Sequence, residues 1–217
     1  MPTADSEVSI GAVGRSERLI ESAIKLFSAQ PYDDVSVQDI ASEADVATGL
    51  LYYHFTDKQG LYAAALELLA DRLKAEVDEA VASVDSSAEP LDRLSAALRA
   101  QLRVISENPS GYRELLGGGA SQPKVRALIE RERKVRLQLI GESLPADVRP
   151  IPAVTITLEG WLRFVDRVQL AWLDGPRIPR EEIAELCLRV LIASVEAAMQ
   201  VDGAPAKRAA KRKRPAR

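Results

Sequence analysis

The chain has 217 residues, of which 47% are hydrophobic, 28% charged and 5% aromatic, enough apolar material for one or two domains with a sizeable core. Its formal net charge of -3 hides a split: seven of the 29 basic residues (Lys207, Arg208, Lys211, Arg212, Lys213, Arg214 and Arg217) lie in the last eleven positions, leaving 22 basic against 32 acidic groups elsewhere. The single cysteine, Cys187, excludes an intramolecular disulfide, and the polar start MPTADSEVSI has no apolar signal core, so a reducing cytoplasm is the expected location.

Ala, Leu, Glu and Arg dominate and strand-type alternation is rare, which predicts an all-helical protein. Residues 1–13 read as a flexible polar arm. Arg15 to Ala29 predicts a helix, with Leu19, Ala23, Leu26 and Phe27 on one face and Pro31 forcing its end. Ser36-Val37-Gln38-Asp39 is a loose capping box that starts a second helix carrying the apolar pair Ile40-Ala41. A turn over Glu43 to Val46 leads to a short third helix from about Ala47 to Tyr53, with Leu51 and Phe55 directed inward against Phe27 and Ile40. This is the spacing of a helix-turn-helix, whose second helix is the element that enters DNA.

The stretch from Ser36 to Leu61, SVQDIASEADVATGLLYYHFTDKQGL, resembles the DNA-binding domain of the tetracycline-repressor (TetR) family of bacterial regulators. Ile40-Ala41, Val46, Gly49, Leu51, Tyr52, His54, Phe55 and Lys58 fall on the family pattern. Three positions depart from it. Asp45 replaces the usual turn glycine, Ala47 replaces the Ser or Thr that caps the recognition helix, and Leu50 replaces a commonly small residue. Beyond this head the chain resembles the family only in length and helical layout. The expected partition is an arm (1–13), a helix-turn-helix domain (14–60), a ligand-binding and dimerisation domain (61–202) and a disordered basic tail (203–217).

Tyr52, His54 and Lys58, across the end of the recognition helix and the start of the next, are candidates for DNA phosphate contacts. For His54 the competing role is packing the third helix on the fourth. Thr48, Gly49 and Tyr53 are candidates for facing base edges, although none is a bidentate reader, so no operator code follows. Ser36 and Gln38 begin the second helix near a phosphate, and Ser36 is at least its cap. From Gly11 to Gly60 there are four basic residues against eight acidic ones, whereas a DNA binder normally shows a positive footprint.

A fourth helix is predicted from Lys58 to about Val81, with Leu61, Ala64, Ala65, Leu68 and Leu69 as its apolar stripe. After a loop from Ser83 to Pro90, helices follow over Leu91–Glu107 and Tyr112–Leu116. Gly117-Gly118-Gly119 breaks the latter, with no phosphate-loop lysine nearby. Gln122 to about Ser143 holds RALIERERKVRLQLI, read as a solvated charged face. Pro152–Asp174 is apolar on more than one side, and Arg180–Val201 carries Ile183, Leu186, Val190, Leu191, Ser194, Val195 and Ala198 as a broad stripe. Such helices need partners on several faces, which a four-helix contact between two copies supplies; the alternative is an ordinary monomer core. The resemblance also implies dimerisation through the last two long helices. Glu159, Arg163, Asp166 and Arg167 make the most apolar segment too charged to span a membrane.

The resemblance further implies a small-molecule effector among the middle helices of the larger domain. Tyr112, Trp161 and Phe164 would line its cavity, with Arg103, Arg163 and Asp166 as polar groups, against the plainer reading of core aromatics and surface charges. One His and one Cys, with no zinc or nucleophile motif, leave no basis for an enzyme, and no metal or cofactor is expected. The expected protein is an all-helical homodimer that binds a partly palindromic operator in double-stranded DNA and is released by an effector. The rivals are an effector-independent activator, a partner-controlled regulator, or a helical-bundle enzyme or carrier. The basic tail is either a solvated end or a source of cations around DNA.

Overall fold

A computed structural model describes residues 4–117, 123–144, 148, 151–175 and 178–212. Among these residues it is all-helical: α1 (Ala4–Ala29), α2 (Val37–Glu43), α3 (Thr48–Phe55), α4 (Lys58–Ala82), α5 (Pro90–Glu107), α6 (Pro109–Gly117), α7 (Pro123–Glu142), α8 (Pro152–Asp174) and α9 (Arg180–Arg212), with one 3-10 turn at Tyr32–Asp34. Proline opens α5, α6, α7 and α8, where its fixed φ suits a helix start and its missing N–H would have had no partner anyway.

At the N-terminus α1 begins at Ala4; the sequence of its first turn holds Asp5 and Glu7, residue types that the dipole of a helix start favours. At the other end α9 continues to Arg212. Residues 213–217 and the break at Gly118–Gly119 lie outside the described residues.

The chain forms two compact units, divided differently from the expected boundary at Gly60. The first comprises Met1–Ala75 and Ile105–Arg131, the second Glu76–Val104 and Glu132–Arg217. In the first, α1 packs on α2, α3 and α6. Leu19, Ala23, Ile40, Leu51 and Leu61 are completely buried there. Tyr112 is buried too, its hydroxyl donating to the Leu69 carbonyl over 3.1 Å.

In the second unit α8 packs along α9. Val154, Leu158, Leu162 and Val165 of α8 are buried, as are Ile183, Ala184, Cys187 and Leu191 of α9. Trp161 Nε1 donates to the Cys187 carbonyl at 2.8 Å, stitching an aromatic of α8 to the backbone of α9. The Cys187 thiol is pushed up to about 11 by burial.

The charged run of α7 is not simply a solvated face. Arg133 is buried, whereas Val135 and Leu139 are exposed. Arg136 grips Asp166 with both terminal nitrogens (2.9 and 3.4 Å), and Arg133 lies 4.0 Å from the same carboxylate. Positions 133, 136 and 140 recur at helical spacing, so an inward stripe of α7 carries two arginines because α8 presents a buried acid to them. Three residues along α8, buried Gln169 accepts from Gln101 Nε2 at 3.0 Å. Burial raises the Asp166 carboxyl above the usual range, although Arg136, then Arg133 and Arg163, pull it the other way. Removing one member of a buried ion pair is far more damaging than replacing both. Asp166→Ala is therefore expected to lower unfolding stability by roughly 3–5 kcal/mol in a urea titration.

Candidate nucleic-acid interface

α2 begins with a complete capping box. Ser36 Oγ accepts from Asp39 N at 3.0 Å, Ser36 N donates to Asp39 Oδ2 at 2.9 Å, and Ser36 Oγ donates to the same oxygen at 2.6 Å. Asp at the third helical position thus does what Glu does in the usual box. These bonds hold the Asp39 carboxyl below the usual range. They also commit the Ser36 hydroxyl to the cap, while Gln38 points to solvent.

α2 ends in a reversal that needs a left-handed residue. Asp45 has φ 53°, with Val46 N donating to Ala41 O (3.0 Å) and Asp45 N to Ser42 O (3.2 Å). That is the six-to-one and five-to-two pairing of a Schellman ending, made here without glycine. Ala47 caps α3 by backbone alone. Leu51 is completely buried and anchors α3, turning the opposite face outward: Tyr52 is 53% and Tyr53 79% exposed. Gly49 is also exposed, and a Cβ there would meet no atom within 4 Å. Thr48, at the start of α3, is half-buried.

The joint to α4 is tight. Thr56 has φ 66° and ψ -48°, and Asp57 N donates back to Phe55 O over 2.7 Å, a γ-turn of the strained hand. Asp57 Oδ1 then accepts from Gly60 N at 2.6 Å and caps α4. A Cβ on Gly60 would overlap the Phe55 carbonyl oxygen. Lys58 places its ammonium 4.1 Å from the centre of the Tyr32 ring, a cation–π contact. Tyr32 in turn belongs to an aromatic cluster with Phe27 and Tyr62 (centroids 4.7–5.5 Å apart). Burial, then Asp57 and Asp33, raises the Tyr32 phenol. His54 is half-buried, and its Nε2 is enclosed with no hydrogen-bond partner among the described residues.

The candidates on α3 and the start of α4 are therefore brought onto one short stretch, with Tyr52, Tyr53 and Gly49 the most open. Sequence reasoning missed Tyr32, Thr56 and Asp57. The Asp57-x-x-Gly60 spacing was the available signal for the cap; nothing local announced the Lys58–Tyr32 contact.

The effector candidates are divided. Tyr112 belongs to the first unit and the other five to the second. Trp161 and Asp166 are buried, Phe164 is half-buried, and Arg163 is exposed. Arg103 is paired with Glu76 at 2.6 Å. Asp166 and Arg163 are close enough to interact electrostatically. An open groove of about 590 Å³ lies in the first unit and is lined by Glu17, Arg18, Glu21, Glu43 and Leu68 among others, but by none of the six.

The two turns give opposite expectations on mutation. Asp45→Gly removes the Cβ penalty of a left-handed residue and should raise stability by about 1 kcal/mol. Gly60→Ala forces the joint open and should lower it by roughly 1–3 kcal/mol. Thermal denaturation of the two variants checks both signs.

Residues 19–72 match the family model described as bacterial regulatory proteins, tetR family, and residues 90–194 match that of the tetracyclin repressor-like C-terminal domain. The HTH-type transcriptional repressor KstR2 of Mycobacterium tuberculosis is 30% identical over 189 residues, covering 83% of this chain and 92% of the relative. The HTH-type transcriptional regulator HbdR of Aromatoleum sp. is 33% identical over 91 residues, covering 42% of this chain and 38% of the relative. A tetR-family transcriptional regulator from Streptomyces coelicolor has a crystal structure that superposes with a TM-score of 0.71 at 26% identity, over 87% of this chain and 83% of the other. With a capped helix-turn-helix in front and the matching C-terminal domain behind it, the chain belongs to the tetR family of bacterial regulatory proteins and is a DNA-binding transcriptional regulator, not an enzyme.

Proposed function

We propose that the protein acts as a homodimeric repressor that occupies a partly palindromic operator and leaves it when a small-molecule effector binds the second unit. The observation that carries the DNA side is the outward face of α3, where Tyr52 and Tyr53 are exposed and Gly49 has open space around it. In this reading Thr48, Gly49 and Tyr53 face base edges, Tyr52, Lys58 and Gln38 meet phosphates, Ser36 holds the cap, and His54 packs α3. Two such helices, about 34–36 Å apart, would reach adjacent major grooves.

Exposed apolar side chains support self-association: Ile156 on α8 is 72% exposed, and Leu186, Ile192, Met199 and Val201 of α9 are exposed as well. The relative KstR2 is named a repressor. The solved structures of AibR, with isovaleryl coenzyme A and operator DNA, and of Bacillus subtilis FadR, with stearoyl-CoA, share the fold at 20% and 15% identity. Those ligands belong to those proteins, and they make acyl thioesters the first compounds to test here. A second reading, as an activator, is favoured by the relative FasR of Mycolicibacterium smegmatis, 29% identical over 52% of its length and named an activator. The cytoplasm is the location we propose: among the described residues no helix is long and apolar enough to cross a membrane, and Cys187 is a buried free thiol.

An effector has to bind the released state more tightly than the operator-bound one, and α4, α5 and α7 each pass from one unit into the other. Selection of bound fragments from genomic DNA is expected to return sites with two-fold symmetry, and acyl-CoA thioesters are expected to release them in a mobility-shift titration.

Three variants test the interface. Tyr52→Ala and Lys58→Ala should each weaken operator binding by about tenfold, roughly 1.4 kcal/mol, with unchanged helix content by circular dichroism. Gly49→Ala should raise stability by roughly 0.5–1 kcal/mol, since alanine is the better helix former, yet still weaken operator binding. Light scattering in solution should give twice the 23.6 kDa chain mass, and Ile156→Glu should halve it.

A further inference from the structure

We propose that Tyr32 is a positioning residue for DNA binding: its ring holds the Lys58 ammonium ready for an operator phosphate without neutralising it. The proposal rests on the regulator reading and starts from a shortage of cations. Phosphate affinity comes mainly from Lys and Arg side chains that displace condensed counterions. α3 contains neither, and from Gly11 to Gly60 four cations face eight carboxylates. Two cations of the first unit are already matched by acids: the Lys25 ammonium lies 2.5 Å from Glu43, and Arg72 pairs with Glu21. Lys58, at the first position of α4, is seated differently, with its ammonium 4.1 Å from the centre of the Tyr32 ring.

A helix start attracts anions through its free N–H groups, but at α4 an acid of the chain already fills that place. Asp57 Oδ1 accepts from Gly60 N at 2.6 Å, and the Lys124 ammonium lies 3.9 Å from the same oxygen. What α4 offers a phosphate at this joint is therefore the charge of the Lys58 side chain. A lysine side chain is long and flexible, and ordering it on binding costs affinity. A carboxylate partner would order it but cancel its charge, and a phosphate would then have to displace the carboxylate. An aromatic face attracts the ammonium through its quadrupole and carries no net charge, so the cation is held and stays available. The ring is anchored in turn: Phe27 of α1 lies 5.5 Å from it and Tyr62 of α4 4.8 Å, centroid to centroid. Asp34 N donates to Pro31 O at 3.1 Å and closes the turn that carries Tyr32. A residue ahead of the helix-turn-helix thus sets the reach of a side chain behind it, within the first unit. Apolar packing would also lay a lysine stem on a ring, but it would be indifferent to the ring's electrons.

The test separates the ring's charge distribution from its shape. In the full-length chain Tyr32 is replaced by Phe, by mono-, di- and trifluorinated phenylalanine, and by Leu, each with Lys58 intact and with Lys58→Met. Fluorine withdraws electron density from the ring face and changes its size little. Affinity for a duplex carrying the site recovered from genomic DNA is measured by fluorescence anisotropy across a salt series, with helix content followed by circular dichroism. Tyr32→Phe should bind as the unaltered protein does. Affinity should fall step by step along the fluorine series, and Tyr32→Leu should lose roughly two- to fivefold. Lys58→Met should lower the slope of log K against log salt by about 0.9, and in its presence the whole fluorine series should bind alike. Affinity unchanged along the fluorine series, or falling equally with and without Lys58, would overturn the proposal. So would full affinity in Lys58→Met. If Tyr32→Leu loses helix content, the fluorinated variants, which keep the ring, still decide. An unaltered protein that binds every duplex alike would instead overturn the regulator reading, and this proposal with it.

Discussion

An eight-residue helix does not hold itself together in water, and the surface proposed to face DNA is built on one. α3 is too short to survive by its own hydrogen bonds. It exists because Leu51 is buried and because the backbone on either side of it is locked. On the incoming side Asp45 accepts a left-handed conformation so that α2 can end in paired carbonyls. On the outgoing side Thr56 turns through a γ-turn and Asp57 caps α4. Both turns place a residue with a side chain where glycine would be easier. The stability of the surrounding core offsets that strain, and the outward angle of Tyr52 and Tyr53 follows from it.

Much of this was readable from residues alone, for a physical reason. Capping, proline starts and apolar periodicity are local effects, so Ser36 with Asp39, Pro152 opening α8, and Leu51 facing inward could be assigned without coordinates. The extents of α1 and α9 were not legible at the two ends, where charge and composition argue for loose chain. Arg133 illustrates a different blindness. A guanidinium in a charged run reads as solvated unless the acid that meets it is known, and Asp166 lies thirty-three positions away on another helix. The DNA-side residues were named as a group from their spacing, but the inward Nε2 of His54 and the hold of Tyr32 on Lys58 depend on tertiary packing.

The second unit combines an apolar core with a polar seam. Gln101, Gln169, Asp166, Arg133 and Arg136 draw α5, α7 and α8 together through hydrogen bonds and charge. Such groups add little net stability, because desolvation offsets most of their attraction, but they have few acceptable arrangements. A bundle fastened by a directional seam changes between discrete states rather than deforming by degrees, a property that suits the effector response proposed for this unit.

The sulfur of Cys187 sits inside the same unit, buried on α9. Burial pushes its thiol up to about 11, which disfavours the thiolate that reacts with oxidants and electrophiles. As the chain's sole cysteine, it leaves no second sulfur to form a bridge within one subunit. A buried thiol whose ionisation is held back in this way is a poor target for oxidants and electrophiles.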